Sequence, residues 1–334
     1  MVTPGKGLLA ADESSGTIKK RFDVIKVDST EDNRRDYREM LFRSQEAMSK
    51  YISGVILYDE TIWQNAKDGT PLVKLIEQAG AIPGIKVDEG TQALPNCPGE
   101  LVTVGLDKLA ERLKKYYDRG ARFAKWRAVI DIGSGAGSRG IPTMTAIRVN
   151  AHALARYAAL CQAAQIVPIV EPEVLMDGDH DIDRCYEVTQ RVLNRTFQEL
   201  RVQRVALEGM ILKPNMAISG KKCPKQAPVQ EVAEKTIRLL KSCVPAAVPG
   251  IAFLSGGQSD EEATAHLDAM NKIGHLPWKL TFSYGRALQA APQQAWSGKP
   301  DNVPAGQRAF SHRARMNGLA STGNWEAGLE KQAA

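Results

Sequence analysis

The sequence predicts a single-domain α/β protein folded as a closed (β/α)8 TIM barrel, and three observations support this. Eight short runs rich in branched apolar residues recur along the 334 residues. Longer amphipathic segments separate these runs, and such alternation of β and α elements favours a parallel sheet covered by helices. Eight units in a chain of this length are typical of a closed barrel rather than an open sheet.

Each apolar run is interpreted as one strand of the barrel. The eight predicted strands cover residues 7–13, 52–58, 82–88, 121–130, 166–174, 205–214, 251–256 and 280–286. Helical periodicity is clearest in four of the other segments, at residues 33–48, 151–164, 229–241 and 260–270. Ser259 is the predicted N-cap of the last of these. We expect residues 1–290 to form the barrel and residues 291–334 to form a C-terminal helical segment and tail.

Composition narrows the class of protein. The net charge of +6 is spread along the chain without a Lys/Arg block, which disfavours nucleic acid as a partner and is compatible with steering of an anionic small molecule. The five cysteines form no C-x-x-C motif, which favours reduced thiols in a cytoplasmic setting. We expect neither secretion nor membrane insertion, because no signal-like or 18-residue apolar stretch is present.

Lys213 is the most unusual single residue, since it ends the apolar run that begins at Val205. Burial in such a strand disfavours an ammonium group, and a neutral lysine is a nucleophile for carbonyl carbon. The alternative is a lysine at a strand end whose ammonium group reaches solvent.

Paired ionisable residues stand where three predicted strands end. The pairs are Lys86 with Asp88, Lys125 with Arg127, and Glu171 with Glu173. The two members of a pair face the same way, because strand side chains alternate with a period of two. Active sites of barrels collect at the carboxyl ends of strands, so these pairs predict an active site there. The alternative is that the pairs are stabilising ion pairs around the barrel mouth.

Seven blocks together resemble class I fructose-bisphosphate aldolase, in order from about residue 5 to about residue 290. They are GKGLLAADES (5–14), GIKVD (84–88), FAKWR (123–127), VPIVEPE (167–173), ILKPNM (211–216), FLSGGQS (253–259) and TFSYGR (281–286). The resemblance implies a lyase of glycolysis and gluconeogenesis. Its reaction is the reversible, metal-independent cleavage of fructose 1,6-bisphosphate to dihydroxyacetone phosphate and glyceraldehyde 3-phosphate, with no cofactor.

The resemblance also implies catalytic roles for individual residues. Lys213 matches the lysine that forms the Schiff base, and Glu171 matches the acid/base of carbinolamine dehydration. Lys125 matches a neighbouring lysine that would keep Lys213 neutral by like-charge repulsion and orient the carbinolamine. Asp12 matches the carboxylate that takes the proton of the C4 hydroxyl. Two further residues match supporting positions, namely Glu173 and Arg127.

The same blocks imply two phosphate sites. The residues matching the C1-phosphate site and the adjoining substrate contacts follow the last two strands, and they are Ser255, Gly256, Gly257, Ser283, Gly285 and Arg286. Barrels often bind phosphate at these two strands through backbone N–H groups. The residues resembling the surroundings of the C6 phosphate are Ser14, Thr17, Arg21 and Lys86. The family usually has serine at the position of Thr17, and threonine keeps the hydroxyl.

The chain also departs from the familiar members of this family. It begins close to Asp12, without their N-terminal helical extension, and its loop at residues 131–143 is longer and richer in glycine. No tyrosine follows Tyr284, whereas those members end in a tail whose tyrosine assists proton exchange at C3. A homotetramer is expected from the resemblance.

Other interpretations of the sequence are less favoured. The G-x-G-x-x-G motif at 135–140 lacks the acid about 20 residues further on that a dinucleotide site needs. Residues 177–183 lack the glycine and glutamate of a calcium loop, and the five histidines fall in predicted helices or loops rather than at strand ends. Two alternatives stay open: another ketose bisphosphate, such as sedoheptulose 1,7-bisphosphate, as main substrate, and a non-catalytic scaffold, which the retained Lys213 disfavours.

Overall fold

Eight parallel strands close into a barrel in the computed structural model, which describes residues 1–133 and 140–331. The strands of the molecule are β1 (Gly7–Ala11), β2 (Ile52–Leu57), β3 (Ile82–Lys86), β4 (Thr91–Ala93), β5 (Leu101–Thr103), β6 (Phe123–Ile130), β7 (Val167–Val174), β8 (Ile211–Leu212), β9 (Gly250–Phe253) and β10 (Lys279–Tyr284). Around the barrel the order is β1-β2-β3-β6-β7-β8-β9-β10, and β10 pairs with β1. The predicted fold class is therefore confirmed, with one barrel strand in each of the eight predicted runs.

Helices cover the outside of this sheet. They are α1 (Ser15–Val24), α2 (Glu31–Phe42), α3 (Gln45–Lys50), α4 (Asp59–Trp63), α5 (Leu72–Gln78), α6 (Leu109–Arg119), α7 (Met144–Ala163), α8 (Ile182–Val202), α9 (Val229–Cys243), α10 (Asp260–Ile273), α11 (Arg286–Trp296) and α12 (Val303–Ala320). None of the helices in the described ranges is both long enough and apolar enough to cross a membrane.

Two predicted helices have different bounds in the structure. The helix predicted at 33–48 is divided into α2 and α3 around Ser44. α7 begins at Met144 instead of residue 151, because the side chain of Thr143 caps it by accepting a hydrogen bond from the backbone N of Ala146 at 3.1 Å. Ser259 caps α10 as predicted, in a reciprocal capping box with Glu262.

The strand predicted at 205–214 was too long. Only Ile211–Leu212 pairs as β8, and a 3-10 turn at Leu207–Gly209 precedes it. The side chain of Gln162 donates to the carbonyl of Ala206 at 2.7 Å and accepts from its N–H at 3.0 Å, which holds this segment in a turn. A short apolar run does not by itself distinguish a strand from such a turn.

The short antiparallel hairpin of β4 and β5 was not predicted. It lies between β3 and α6 and pairs Thr91 with Thr103. The three residues of β4, Thr91–Ala93, are all exposed and include no large apolar side chain, so they lack the apolar alternation that marks a strand in a sequence.

The barrel interior is filled, so the functional cavity must lie at a mouth rather than in the centre. Side chains from several barrel strands, including Leu8, Ile56 and Phe123, form a small cluster inside the barrel. Phe123 lies over Gly84 so closely that a Cβ on that glycine would come within 2.2 Å of the ring. A second, larger apolar layer lies between the sheet and the helices.

The residues after position 290 are continuous with the rest of the fold. α11 spans this position, and α12 packs against α2, α3, α10 and α11. The predicted division of the chain at residue 290 stays a prediction. The G-x-G-x-x-G motif at 135–140 lies outside the described residues except for Gly140. The last three residues of the tail lie entirely outside them.

Candidate active site

A cavity of about 1120 Å³ opens at the carboxyl ends of the barrel strands. Every catalytic and substrate-binding residue proposed from the sequence lines it, from Asp12 after β1 to Arg286 after β10. β1 and β8 end just before Asp12 and Lys213, whereas Lys125 lies within β6 and Glu171 lies within β7. The polar side chains therefore line the cavity both from within strands and from the first residues of the loops.

A continuous chain of four buried charges lies at the bottom of this cavity. Nζ of Lys213 is 3.1 Å from Oε1 of Glu171, and Nζ of Lys125 is 3.1 Å from Oε2 of the same carboxylate. Nζ of Lys125 is also 2.8 Å from Oδ2 of Asp12. Lys125 and Lys213 are each only 4% exposed. Glu171 thus holds the two lysines side by side, which places a second cation next to Lys213.

Within this row of four charged side chains, each charge influences the protonation of its neighbours. Burial would lower the pKa of Lys125, but Asp12 and Glu171 outweigh it and raise the pKa above the usual range of lysine. Burial would raise the pKa of Asp12, but Lys125 and Lys213 outweigh it and hold that pKa well below its usual range. Lys125 is therefore a stable ammonium group at neutral pH, and Asp12 is a carboxylate.

Backbone hydrogen bonds fix Lys213 relative to β7. Its N–H donates to the carbonyl of Val170 at 2.8 Å, immediately after β8 ends. Asn215, two residues later, accepts a hydrogen bond from the N–H of Val174 at 3.0 Å and donates to Thr189 at 3.1 Å. The loop that carries Lys213 is therefore tied to the strand that carries its carboxylate partner.

The paired residues at the strand ends do form ion pairs. Nζ of Lys86 is 2.7 Å from Oδ1 of Asp88, and Arg127 on β6 contacts Glu173 on β7. Burial would lower the pKa of Arg127, but Glu173 outweighs it and raises the pKa. The ion-pair interpretation and the active-site interpretation are therefore compatible, because the pairs surround the cavity.

One end of the cavity is formed by the loops after β9 and β10. Gly257 has a φ of +78°, and a Cβ on it would lie 2.3 Å from Met176, so the close approach of this loop requires glycine. Ser283 is buried, and its Oγ has no hydrogen-bond partner among the described residues. Arg286 begins α11 and donates to the carbonyl of Gln258 at 2.6 Å.

The residues proposed from the sequence to surround the C6 phosphate lie around the start of α1. Ser14 is the N-cap of this helix and accepts a hydrogen bond from the N–H of Thr17 at 3.4 Å. Arg21, in the last turn of the same helix, packs against Gly285, where a Cβ would lie 3.4 Å from its Nη2. Because β1 and β10 are neighbours, Arg21 lies next to the loop after β10, whose residues are proposed to bind the C1 phosphate.

Several polar residues that line the cavity have no catalytic or binding role in the sequence prediction. They include Glu13, Tyr58, Asp88, Arg112 and Lys221. Asp88 belongs to one of the predicted pairs at the strand ends, whereas Glu13 directly follows Asp12, so the alternation of a strand would place it on the opposite side. Lys221 follows no strand, and it joins the cavity only because the loop after β8 folds back against β7, where its N–H donates to the carbonyl of Met176 at 2.8 Å.

The rejected metal motifs are ordinary structural features where the structure describes them. Asp181 is the N-cap of α8, and its side chain accepts from the N–H of Arg184 at 2.8 Å. His152, His266 and His312 lie on helices. Within residues 1–133 and 140–331, no three His, Cys, Asp or Glu side chains are grouped in a way that could hold a metal ion.

Comparison with known proteins gives consistent relatives. The family model described as fructose-bisphosphate aldolase class-I matches residues 1–334. A probable fructose-bisphosphate aldolase class 1 of Xanthomonas campestris pv. campestris is 57% identical over 327 residues, which is 98% of this chain and 96% of the relative. Fructose-bisphosphate aldolase 1 of Toxoplasma gondii is 54% identical over 328 residues, covering 98% and 89%.

A solved structure is similar in both sequence and fold. It is fructose-bisphosphate aldolase from Plasmodium falciparum, crystallised in complex with TRAP and a small molecule inhibitor. It is 49% identical, with a TM-score of 0.95, and the match covers 98% of this chain and 93% of that one.

Proposed function

Because the chain belongs to the class I fructose-bisphosphate aldolase family, and is therefore an aldehyde-lyase acting on fructose 1,6-bisphosphate, we propose that Lys213 is its Schiff-base residue. The observation that carries this assignment is the Glu171 carboxylate, which contacts Lys213 and Lys125 at 3.1 Å each. A nucleophile with an adjacent acid/base and a neighbouring cation is the arrangement that imine formation needs.

The first half of the reaction uses Lys213 and Glu171. Glu171 first takes one proton from the amine of Lys213, which contacts it at 3.1 Å. The neutral amine then attacks C2 of the open-chain ketose, and a second proton moves from Nζ to the carbonyl oxygen, which becomes the hydroxyl of a carbinolamine. Glu171 gives a proton to this hydroxyl, which leaves as water, and an iminium forms between C2 and Nζ. Lys125 remains charged and stabilises the oxygen as negative charge develops on it.

The second half breaks the C3–C4 bond. Asp12 takes the proton of the C4 hydroxyl, the C4 oxygen forms the aldehyde, and the electrons of the broken bond move into the iminium to give an enamine. A carboxylate as acidic as Asp12 is a weak base while Lys125 is bonded to it. We infer that Lys125 exchanges this contact for a substrate oxygen before the bond breaks.

Binding of the two phosphates orients the ketose over these residues. The loop Ser255–Gly257 and the start of α11 at Arg286 offer backbone N–H groups and a cation to the C1 phosphate. At the other side of the cavity, the hydroxyl of Ser14 at the start of α1 and the ammonium group of Lys86 are available to the C6 phosphate. Glu173 and Arg127 support the site through their ion pair.

The cellular setting is proposed by analogy with relatives. A fructose-bisphosphate aldolase 4 of Arabidopsis thaliana that is 51% identical is named as cytosolic, and covers 97% of this chain. We propose a cytoplasmic homotetramer that takes a phosphorylated sugar as its substrate and binds neither nucleic acid nor membrane.

The substrate is tested by comparing kcat/KM for fructose 1,6-bisphosphate and sedoheptulose 1,7-bisphosphate in a coupled assay for dihydroxyacetone phosphate. We expect at least a tenfold preference for the fructose ester, and the same rate with and without EDTA, because the iminium accepts the electrons that a metal ion would otherwise accept. A preference for the seven-carbon ester would overturn the substrate assignment, and loss of activity in EDTA would overturn the mechanism.

A further inference from the structure

A row of alternating charges lies behind one wall of the active-site cavity. It consists of Arg34, Glu60, Arg38, Glu13 and Arg21, and we refer to these five residues as the charge ladder. α2 supplies its first and third members, and α4 supplies Glu60. Glu13 follows β1, and Arg21 lies on α1. The charge ladder thus joins three helices and one strand end.

Contacts between neighbours are continuous along the charge ladder. Arg34 holds Glu60 through two nitrogens, one of them at 2.9 Å. Nη1 of Arg38 is 3.4 Å from Oε2 of Glu60, and its Nη2 donates to the backbone carbonyl of Glu13 at 3.0 Å. Nη2 of Arg38 also lies 3.9 Å from Oε2 of Glu13, whose Oε1 contacts Nη1 of Arg21.

The distribution of charge and burial gives the charge ladder a direction. Three cations against two carboxylates leave one positive charge. The side chains of Arg38 and Glu13 are only 1% and 4% exposed, whereas that of Arg21 is 24% exposed. Arg21 is also the cation of the five that lines the cavity. Arg21 is therefore the cation of the charge ladder that a ligand in the cavity can reach.

Glu13 cannot rotate freely. Gln289 donates to its Oε1 at 2.7 Å, and the oxygen of the same amide accepts from the hydroxyl of Tyr37 at 3.1 Å. All three side chains are buried. The carboxylate that contacts Arg21 is thus fixed from behind, while Arg21 itself packs against Gly285 on its other side.

We propose that Glu13 is a positioning residue for phosphate binding. It holds the guanidinium of Arg21 against Gly285, at the cavity wall, before the substrate arrives. A preorganised cation loses less side-chain freedom on binding, so the phosphate binds more tightly. Glu13 acts only through Arg21 and takes no part in bond breaking. The proposal rests on the function proposed above.

Steady-state kinetics with fructose 1,6-bisphosphate test this proposal. In Glu13→Gln, KM is expected to rise about tenfold, the loss expected for one hydrogen bond to a charged group. kcat is expected to stay within twofold, because only binding shared by ground state and transition state is removed. Glu13→Asp keeps the charge on a shorter side chain, and its KM should lie between the two.

A double variant separates positioning from a merely structural role. If Glu13 acts through Arg21, adding Glu13→Gln to Arg21→Met leaves the KM of Arg21→Met unchanged. The matched control is Glu39→Gln, which removes an acid of α2 that is paired with Arg43 at 2.8 Å and is not among the residues lining the cavity; it should leave KM unchanged. KM in Glu13→Gln within twofold of wild type, independent effects in the double variant, or a loss confined to kcat would each overturn the proposal.

Two further measurements keep the proposal testable if a variant or the assay fails. Should Glu13→Gln not fold, Glu60→Gln weakens the charge ladder one step further from Arg21, and we expect a smaller rise in KM that is again absent in Arg21→Met. Additive effects of Glu60→Gln and Arg21→Met on KM would overturn the proposal.

If the wild-type protein shows no turnover, the proposed function is overturned instead. Calorimetric titration with inorganic phosphate then compares wild type with Glu13→Gln, and equal affinities would contradict the positioning role.

Discussion

The residue that organises the site is Glu171. It is 3% exposed, and it contacts Lys213 with one carboxylate oxygen and Lys125 with the other. A buried carboxylate between two lysines offsets their mutual repulsion, and removal of one partner from such a buried group is costly. The proposed nucleophile, its proposed proton carrier and the neighbouring cation are thus held together by ion pairs before any substrate is present.

The variant Glu171→Gln tests the proton-transfer role of this residue. An amide keeps the shape but cannot carry the proton of the dehydration step, so kcat is expected to fall by about 10²- to 10⁴-fold. The measurement is kcat for fructose 1,6-bisphosphate, with thermal melting to establish that the variant is folded. Glu187→Gln is the control, because Glu187 is an exposed acid that pairs with Arg184 at 2.9 Å on α8. A folded Glu171→Gln with less than a tenfold loss would refute the role.

At the scale of elements, the sequence predicted the strands better than their ends. All eight barrel strands were predicted, because a parallel strand that is buried on both faces needs a nearly continuous run of branched apolar residues. Asp12 and Lys213 lie just after β1 and β8, where the chain leaves the sheet, whereas β7 continues past Glu171 to Val174. The hairpin of β4 and β5 could not be predicted, since β4 has no apolar pattern and tertiary contacts help to hold the hairpin in place. One of them is the hydrogen bond from Thr103 to the carbonyl of Arg127 at 2.8 Å.

α10 gives a pH-dependent prediction. Burial lowers the pKa of His266 on this helix to about 4, and its Nδ1 lies 2.7 Å from Oε1 of Gln258, whose carbonyl accepts from Arg286. An unfolded histidine has a pKa of about 6.5. Between these values the unfolded chain binds the extra proton, so this group's contribution to stability is lost as the pH falls from about 6.5 to about 4.

Urea unfolding at pH 7 and pH 5 measures this effect. Wild type should lose about 2 kcal/mol more of its free energy of unfolding between the two pH values than His266→Gln does. The comparison of the two proteins cancels the titration of all other groups. An equal loss in both would mean that His266 does not remain neutral in the folded protein.

At the scale of the whole molecule, the barrel brings together residues that are far apart in the sequence. Asp12 and Arg286 line the same cavity because β1 pairs with β10 and closes the sheet. Period-two alternation and the rule that barrel sites lie at strand ends were enough to place the ionisable residues around one mouth. They could not predict the buried contacts of Glu13 with Arg38 and Gln289. Arg38 lies on α2 and Gln289 on α11, and these helices meet Glu13 only after the chain has folded.

The central claim is that Lys213 forms the covalent intermediate, and borohydride trapping tests it most directly. The wild-type protein is incubated with dihydroxyacetone phosphate, reduced with sodium borohydride and digested for peptide mass spectrometry. Lys222→Met, which lacks an exposed lysine of the following loop, is the control and should be trapped as wild type is. We predict one reduced adduct, on Lys213. The absence of an adduct, or an adduct on Lys125 instead, would contradict the account.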